Sequence, residues 1–154
     1  MTVPNEYRRA SAEFDALLAA IAEEAGLATR HQAYTTLQGV LLAFRRRLTA
    51  QEGISFVQIL PPMLRALFVM DWDPLAAPAP VLDRAAWRRE VRELRPNHNI
   101  SPPSAIEDVA TVLWRSTDQS SFAECLDKLP PFAREFWAPA GSRDLSSASG
   151  SAGP

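Results

Sequence analysis

One cysteine, two histidines and six glycines are all that 154 residues supply of the types that build cross-links, metal sites and phosphate loops. Cys125 alone cannot close an internal disulfide, which argues against an oxidised secreted scaffold. His31 and His98 lack ligand spacing such as His-x-x-x-His and read as surface or cap-region side chains. The glycines are scattered, so no glycine-rich phosphate loop exists, and no Gly-x-Ser-x-Gly elbow appears. No run of about 18 apolar residues is present, the length a spanning helix needs. The first six residues lack the basic start and apolar stretch of a secretion signal. The expectation is a cytoplasmic protein without membrane insertion. Charge of one sign is missing too: 16 basic residues face 18 acidic ones, which gives no global pull toward nucleic acid.

What is present is helical periodicity. The apolar fraction of 47% is enough for a real core. Phe14, Leu17, Leu18 and Ile21 fall at the spacing of one helix face, which predicts a helix from about Glu6 to Ala25 with Gly26 as its stop. Thr29 with Gln32, Thr49 with Glu52, and Ser121 with Glu124 read as capping boxes. The helices they open carry Leu37, Val40, Leu41, Phe44 and Leu48, then Phe56, Ile59 and Leu60, then Leu126. Pro61-Pro62 and Pro130-Pro131 suit the first turn of a following helix, where the N–H groups lack intrahelical partners. These helices present Leu64, Leu67 and Phe68, and later Phe136 and Trp137. Trp87, Val91 and Leu94 form one more face. Ser101 followed by Pro102 and Pro103 reads as an N-cap with first-turn prolines before Val109, Val112 and Leu113.

The two halves align. Leu60 to Phe68 matches Leu129 to Trp137 in leucine, both prolines, arginine and a terminal aromatic. Upstream, Thr49 and Glu52 match Ser121 and Glu124, Leu37, Val40 and Leu41 match Val109, Val112 and Leu113, and Thr29 matches Ser101. A three-residue deletion in the third helix of the second copy would reconcile the two offsets. Phe14, Leu18 and Ile21 match Trp87, Val91 and Leu94. The fold expected is all-α, two diverged copies of a roughly four-helix unit packed into one bundle. The units span 6–73 and 83–138, with a Pro/Ala linker at 74–82 and a disordered tail at 139–154.

The same residues resemble a bacterial family known as domain of unknown function 2267. Phe14 to Leu27 look like its first helix ending near Gly-Leu, and Leu37 to Leu48 like the helix ending in Arg-Leu. Gln58 to Leu67, continuing to Trp72-Asp73-Pro74, look like its Gln-x-Leu-Pro segment with a Leu-Arg pair. The likeness covers roughly residues 10–137 and is weaker in the second copy, where Ser116 replaces Phe44. It implies an all-helical repeat fold and no activity.

Chemistry-bearing residues are few. Glu23-Glu24 and Glu107-Asp108 are adjacent, splay by about 100° on a helix, and read as solvated faces. Cys125 reads as a buried, inert thiol. Arg45-Arg46-Arg47 end a helix, where cations complement its dipole. Arg88, Arg92 and Arg95 share a face on which Glu90 and Glu93 are expected to form intrahelical pairs. Trp87, Trp114 and Trp137 read as core. Trp72, between two aspartates and a proline, reads either as packing over the junction of the copies or as an exposed anchor. The candidate partner-binding residues are therefore Trp72, Arg88, Arg92 and Arg95, with no catalytic, cofactor or metal residue. The leading reading is a non-catalytic module that binds a protein partner or itself. A small-molecule or lipid pocket between the units is the alternative, and weak nucleic-acid binding through the arginine face is disfavoured.

Overall fold

Helix α2 (Ala10–Ala25) turns its apolar stripe inward and buries Leu17, Leu18 and Ile21. Gly26 ends it at φ 67°, and Leu27 donates to the Ala22 carbonyl at 2.7 Å, the closing bond of a left-handed glycine cap. The single first helix expected from Glu6 is two pieces. Arg9 leaves helical geometry (φ −102°, ψ 2°), so a short α1 (Asn5–Arg8) precedes α2. The computed structural model describes residues 2–94, 102–139 and 141. Arg95, His98, the expected cap at Ser101 and nearly all of the expected tail lie outside the described residues.

Two expected capping boxes are present in full. Thr29 opens α3 (Arg30–Arg45) and Thr49 opens α4 (Ala50–Val57), each side-chain oxygen accepting from the backbone N–H three residues on. Pro61 caps α5 (Pro62–Val69) and places Pro62 in its first turn, where no donor is lost. After an exposed stretch, the Asp83 carboxylate caps α6 (Arg84–Glu93) by accepting from the Ala86 N–H at 2.8 Å.

The second half brings two corrections. Pro102 and Pro103 precede the next helix instead of filling its first turn. The Pro102 carbonyl accepts from Ala105, and α7 runs Ala105–Ser116. Ser121 is not a cap. The Asp118 carboxylate accepts from the Ser121 N–H at 3.1 Å and opens α8 (Gln119–Lys128) one turn earlier. With Asp118 as the cap, no deletion is needed: the 69-residue shift that carries Leu60 onto Leu129 also carries Thr49 onto Asp118. The same shift carries buried Leu37, Val40 and Phe44 onto buried Ile106, Val109 and Leu113. Pro130 and Pro131 lead into α9 (Phe132–Phe136).

Among the described residues every regular element is a helix. Packing is interleaved: α2 lies against both α3 and α7, α3 against α6, and α4 against α8. The core is correspondingly shared. Phe44 of α3 meets Phe56 at 4.8 Å between ring centres, and also meets Phe136 at 5.1 Å and Trp137 at 5.3 Å from the far end of the chain. Full burial of such side chains contributes about 1.5–3 kcal/mol each, and edge-on ring contacts add about 0.5–1.5 kcal/mol. Trp87 and Trp137 are fully buried, and half-buried Trp114 donates its indole N–H to the Trp137 carbonyl at 2.7 Å.

The Pro/Ala stretch before α6 is tied down at two points. Ala79 donates to the Arg46 carbonyl at 2.8 Å and Arg47 Nε donates to the Pro80 carbonyl at 3.0 Å. Among the described residues no helix is long and apolar enough to cross a membrane.

Candidate partner-binding surfaces

The three arginines ending α3 point three ways, because successive helical residues diverge by about 100°. Arg45 Nη1 donates to the Phe68 and Met70 carbonyls, both at 2.9 Å, and so closes the unsatisfied end of α5. Its guanidinium lies 5.5 Å from the centre of the Trp72 ring, and burial pulls its pKa below the usual arginine value despite nearby Asp71. Arg47 is buried, with Nη1 donating to the Ala43 carbonyl at 2.9 Å. Arg46 and Arg47 both ion-pair with Glu90 of α6. Glu90 therefore has partners on another helix, contrary to the intrahelical pairing expected from its spacing. Two facing cations draw it inward, where it is 8% exposed.

Trp72 is half-buried, packed against the core. Its ring meets Phe68 edge-on at 5.9 Å, and a Cβ built on Gly53 of α4 would fall 2.1 Å from its Cη2 atom. Arg88 Nη2 donates to Glu107 of α7 at 3.0 Å, and Arg84 reaches the same carboxylate at 3.7 Å. Arg92 is exposed in the last turn of α6. No hydrogen bond, ion pair or ring contact among the described residues joins Trp72 to Arg88 or Arg92. The four candidates thus do not converge on one site, and Arg95 lies outside the described residues.

The second carboxylate pair is a further correction. Glu107 and Asp108 are buried, 9% and 8% exposed, where a solvated face was expected. The helix α7 they open is covered by α2 and α6, so neither side of its first turn meets water freely. Asp108 accepts from Ser104 Oγ at 2.7 Å. Burial raises its pKa above the carboxylate norm, the Ser104 bond opposes this, and Glu24 and Glu107 add to it. Glu24 is itself paired with Arg115 at 3.2 Å.

Cys125 is buried on α8, and burial pushes its thiol pKa up, away from the thiolate a nucleophile needs. His31 lies exposed in the first turn of α3. Among the described residues no three His, Cys, Asp or Glu side chains group as metal ligands would.

One concave surface was not legible in the sequence. A groove of about 330 Å³ runs between α2 and the start of α5, lined by Phe14, Leu17, Ala20, Met63 and Leu64, with Glu13 and Ser116 also facing it. It is apolar in character and open to solvent. Ser116 reaches it from the end of α7, so both halves contribute. The only sequence signal is a lack of bulk: Ala10, Ala16 and Ala20 occupy the helix face next to the leucines.

No curated protein matches the chain in sequence. The family profile described as "Uncharacterized conserved protein (DUF2267)" matches residues 14–136, a span that runs from Phe14 on the groove to Phe136 in the shared core. Because that match takes in all but the edges of the helical body, the chain belongs to the DUF2267 family.

Proposed function

We propose that the chain is a non-catalytic binding module built by internal duplication, and that an amphipathic segment of a protein partner docks in the groove between α2 and α5. The groove itself carries this reading. It is apolar, open, and fed by a helix face of small residues beside Leu17, with Met63 40% exposed along it.

Three features support the proposal. The acidic groups with unusual burial, Glu90, Glu107 and Asp108, have partners inside the protein. The one thiol is pushed away from reactivity. For the duplication, bonds recur at the 69-residue shift. Arg45 donates to the Phe68 carbonyl as Trp114 donates to the Trp137 carbonyl, with donor and acceptor both displaced by 69 residues. Nucleic acid is not part of the proposal, since Arg46, Arg47, Arg84 and Arg88 face carboxylates of this chain. A cytoplasmic location is part of it, as the lone cysteine suggests.

The groove's size favours one second reading. At about 330 Å³ it falls within the range of small-molecule pockets, roughly 300–1,000 Å³. Native mass spectrometry of the chain purified gently from its host separates the two. The proposal expects a protein chain in fixed ratio that is lost from the Ala16→Arg variant, where an exposed groove residue gains bulk and charge. A small added mass instead would favour the pocket reading. A partner equally retained by Ala16→Arg would refute docking in this groove.

A further inference from the structure

The connection between the two halves differs from the turns that join helices within a half. Asp73 to Pro78 are exposed without a break and Leu75 is 92% exposed, whereas the turns after α3 and α4 bury Leu48 and Leu60. Leu75 and Ala76 donate only to Asp73, and among the described residues no hydrogen bond holds Ala77 or Pro78. On either side the chain is anchored. Arg45 holds the Phe68 and Met70 carbonyls before the stretch, and after it Ala79 donates to the Arg46 carbonyl and Arg47 to the Pro80 carbonyl. The halves also hold each other without the connection. Phe44 packs on Phe132 and Phe136, α2 lies on α7 and α4 on α8, and ion pairs join Arg46 and Arg47 to Glu90 and Arg115 to Glu24.

We propose that the Leu75–Ala76 bond is a processing site for an endopeptidase that takes an apolar side chain, and that the cut chain persists as a one-to-one complex of its halves. Pro74 pre-sets its own backbone before the bond, and Leu75 offers the side chain that a chymotrypsin-like pocket binds. Hydrolysis adds one water across the bond and leaves a carboxylate on Leu75 and an ammonium group on Ala76. Both charges arise where the chain already meets solvent, so neither is buried. The anchors at Arg45, Arg46 and Arg47 keep the new ends from peeling away. The inward face of each half is thus a subunit interface, and its partner is the other half. The cut removes only the effective concentration that the connection supplies, so stability comes to depend on protein concentration.

The test is brief digestion of the full folded chain with chymotrypsin, read by intact mass and size exclusion. Expected is a cut after Leu75, with both fragments eluting together at the volume of the uncut chain. The urea midpoint of the cut protein should fall on dilution, while that of the uncut chain stays fixed. Leu75→Gly should slow this cut by more than about tenfold, because an apolar pocket discriminates by about that much for a single missing methylene. A chain that is first cut inside its helices, or that resists the enzyme at Leu75, would overturn the processing site. A site-specific protease sequence inserted between Ala76 and Ala77 makes the same opening whatever chymotrypsin does. Fragments that separate or precipitate after that cut would overturn the pairing of the halves.

Discussion

The indole of Trp72 occupies the place where a side chain on Gly53 would begin, its Cη2 atom 2.1 Å from an added Cβ. Helix α4 can approach Trp72 this closely only because position 53 carries no side chain. At the 69-residue shift Phe122 matches Gly53 and Gly141 matches Trp72, and a Cβ built on Gly141 would meet nothing within 4 Å, so the close approach belongs to the first half.

Gly53→Ala should therefore destabilise the protein. Overpacking costs about 1–3 kcal/mol, while alanine's better helix propensity returns at most about 1 kcal/mol. Chemical denaturation followed by tryptophan fluorescence reads the difference. In a Trp72→Ala background the same substitution should be neutral or stabilising, and an equal cost in both backgrounds would break the assigned contact.

Glu90 and Arg47 form a charged contact between α6 and α3 with both side chains largely out of water, 11% and 3% exposed. Removing one partner strands the other. Glu90→Ile alone should cost about 3–5 kcal/mol, and combining it with Arg47→Met should recover most of the loss, because a well-packed apolar pair replaces a buried ionic one at little cost. At the 69-residue shift Ile21 of the first half matches Glu90, instead of the Leu94 expected from the helix faces, so isoleucine is what the other half carries there. Urea midpoints of the single and double variants check this, and additive losses would contradict it.

Asp108 makes stability depend on pH. Its pKa is higher folded than unfolded, so between the ordinary aspartate value of 3.8 and that raised value the native state binds more protons than the unfolded chain. Stability falls as pH rises through that window, and the cost is in full force above it. Asp108→Asn should be more stable than the parent at pH 7 and indistinguishable from it near pH 3. Around this group stand Ser104, Glu24 with its partner Arg115, and Glu107 with Arg84 and Arg88. Thermal melts across pH 3–8 would show the two curves converging at the acid end.

Cys125 should react slowly with a disulfide reagent in the native protein and freely after unfolding. At pH 7.5 even a free thiol near pKa 8.5 is less than about a tenth thiolate, and burial lowers that fraction further. Native reactivity matching that of the unfolded chain would mean the thiol is open.

The local signals in the sequence translated well. Thr29 with Gln32, Thr49 with Glu52, Gly26, and the proline pairs at 61–62 and 130–131 mark real helix ends, since each acts within a few residues. Ser121 with Glu124 carries the same pattern and is not a cap, because Asp118 three residues earlier offers a carboxylate to the same stretch of backbone. Partners distant in sequence were not legible. Spacing pointed Glu90 at its own helix, whereas its cations sit more than forty residues away, just past the end of α3. The groove left almost no trace, because alanines and a serine define it by what they do not fill.

Hydrogen–deuterium exchange on the chain with and without its co-purified partner tests the docking proposal most directly. New protection confined to residues 10–20, 61–64 and the end of α7 near Ser116 is the predicted result. Protection centred instead on Arg45, Trp72 and the Pro/Ala stretch, with the groove unchanged, would contradict it.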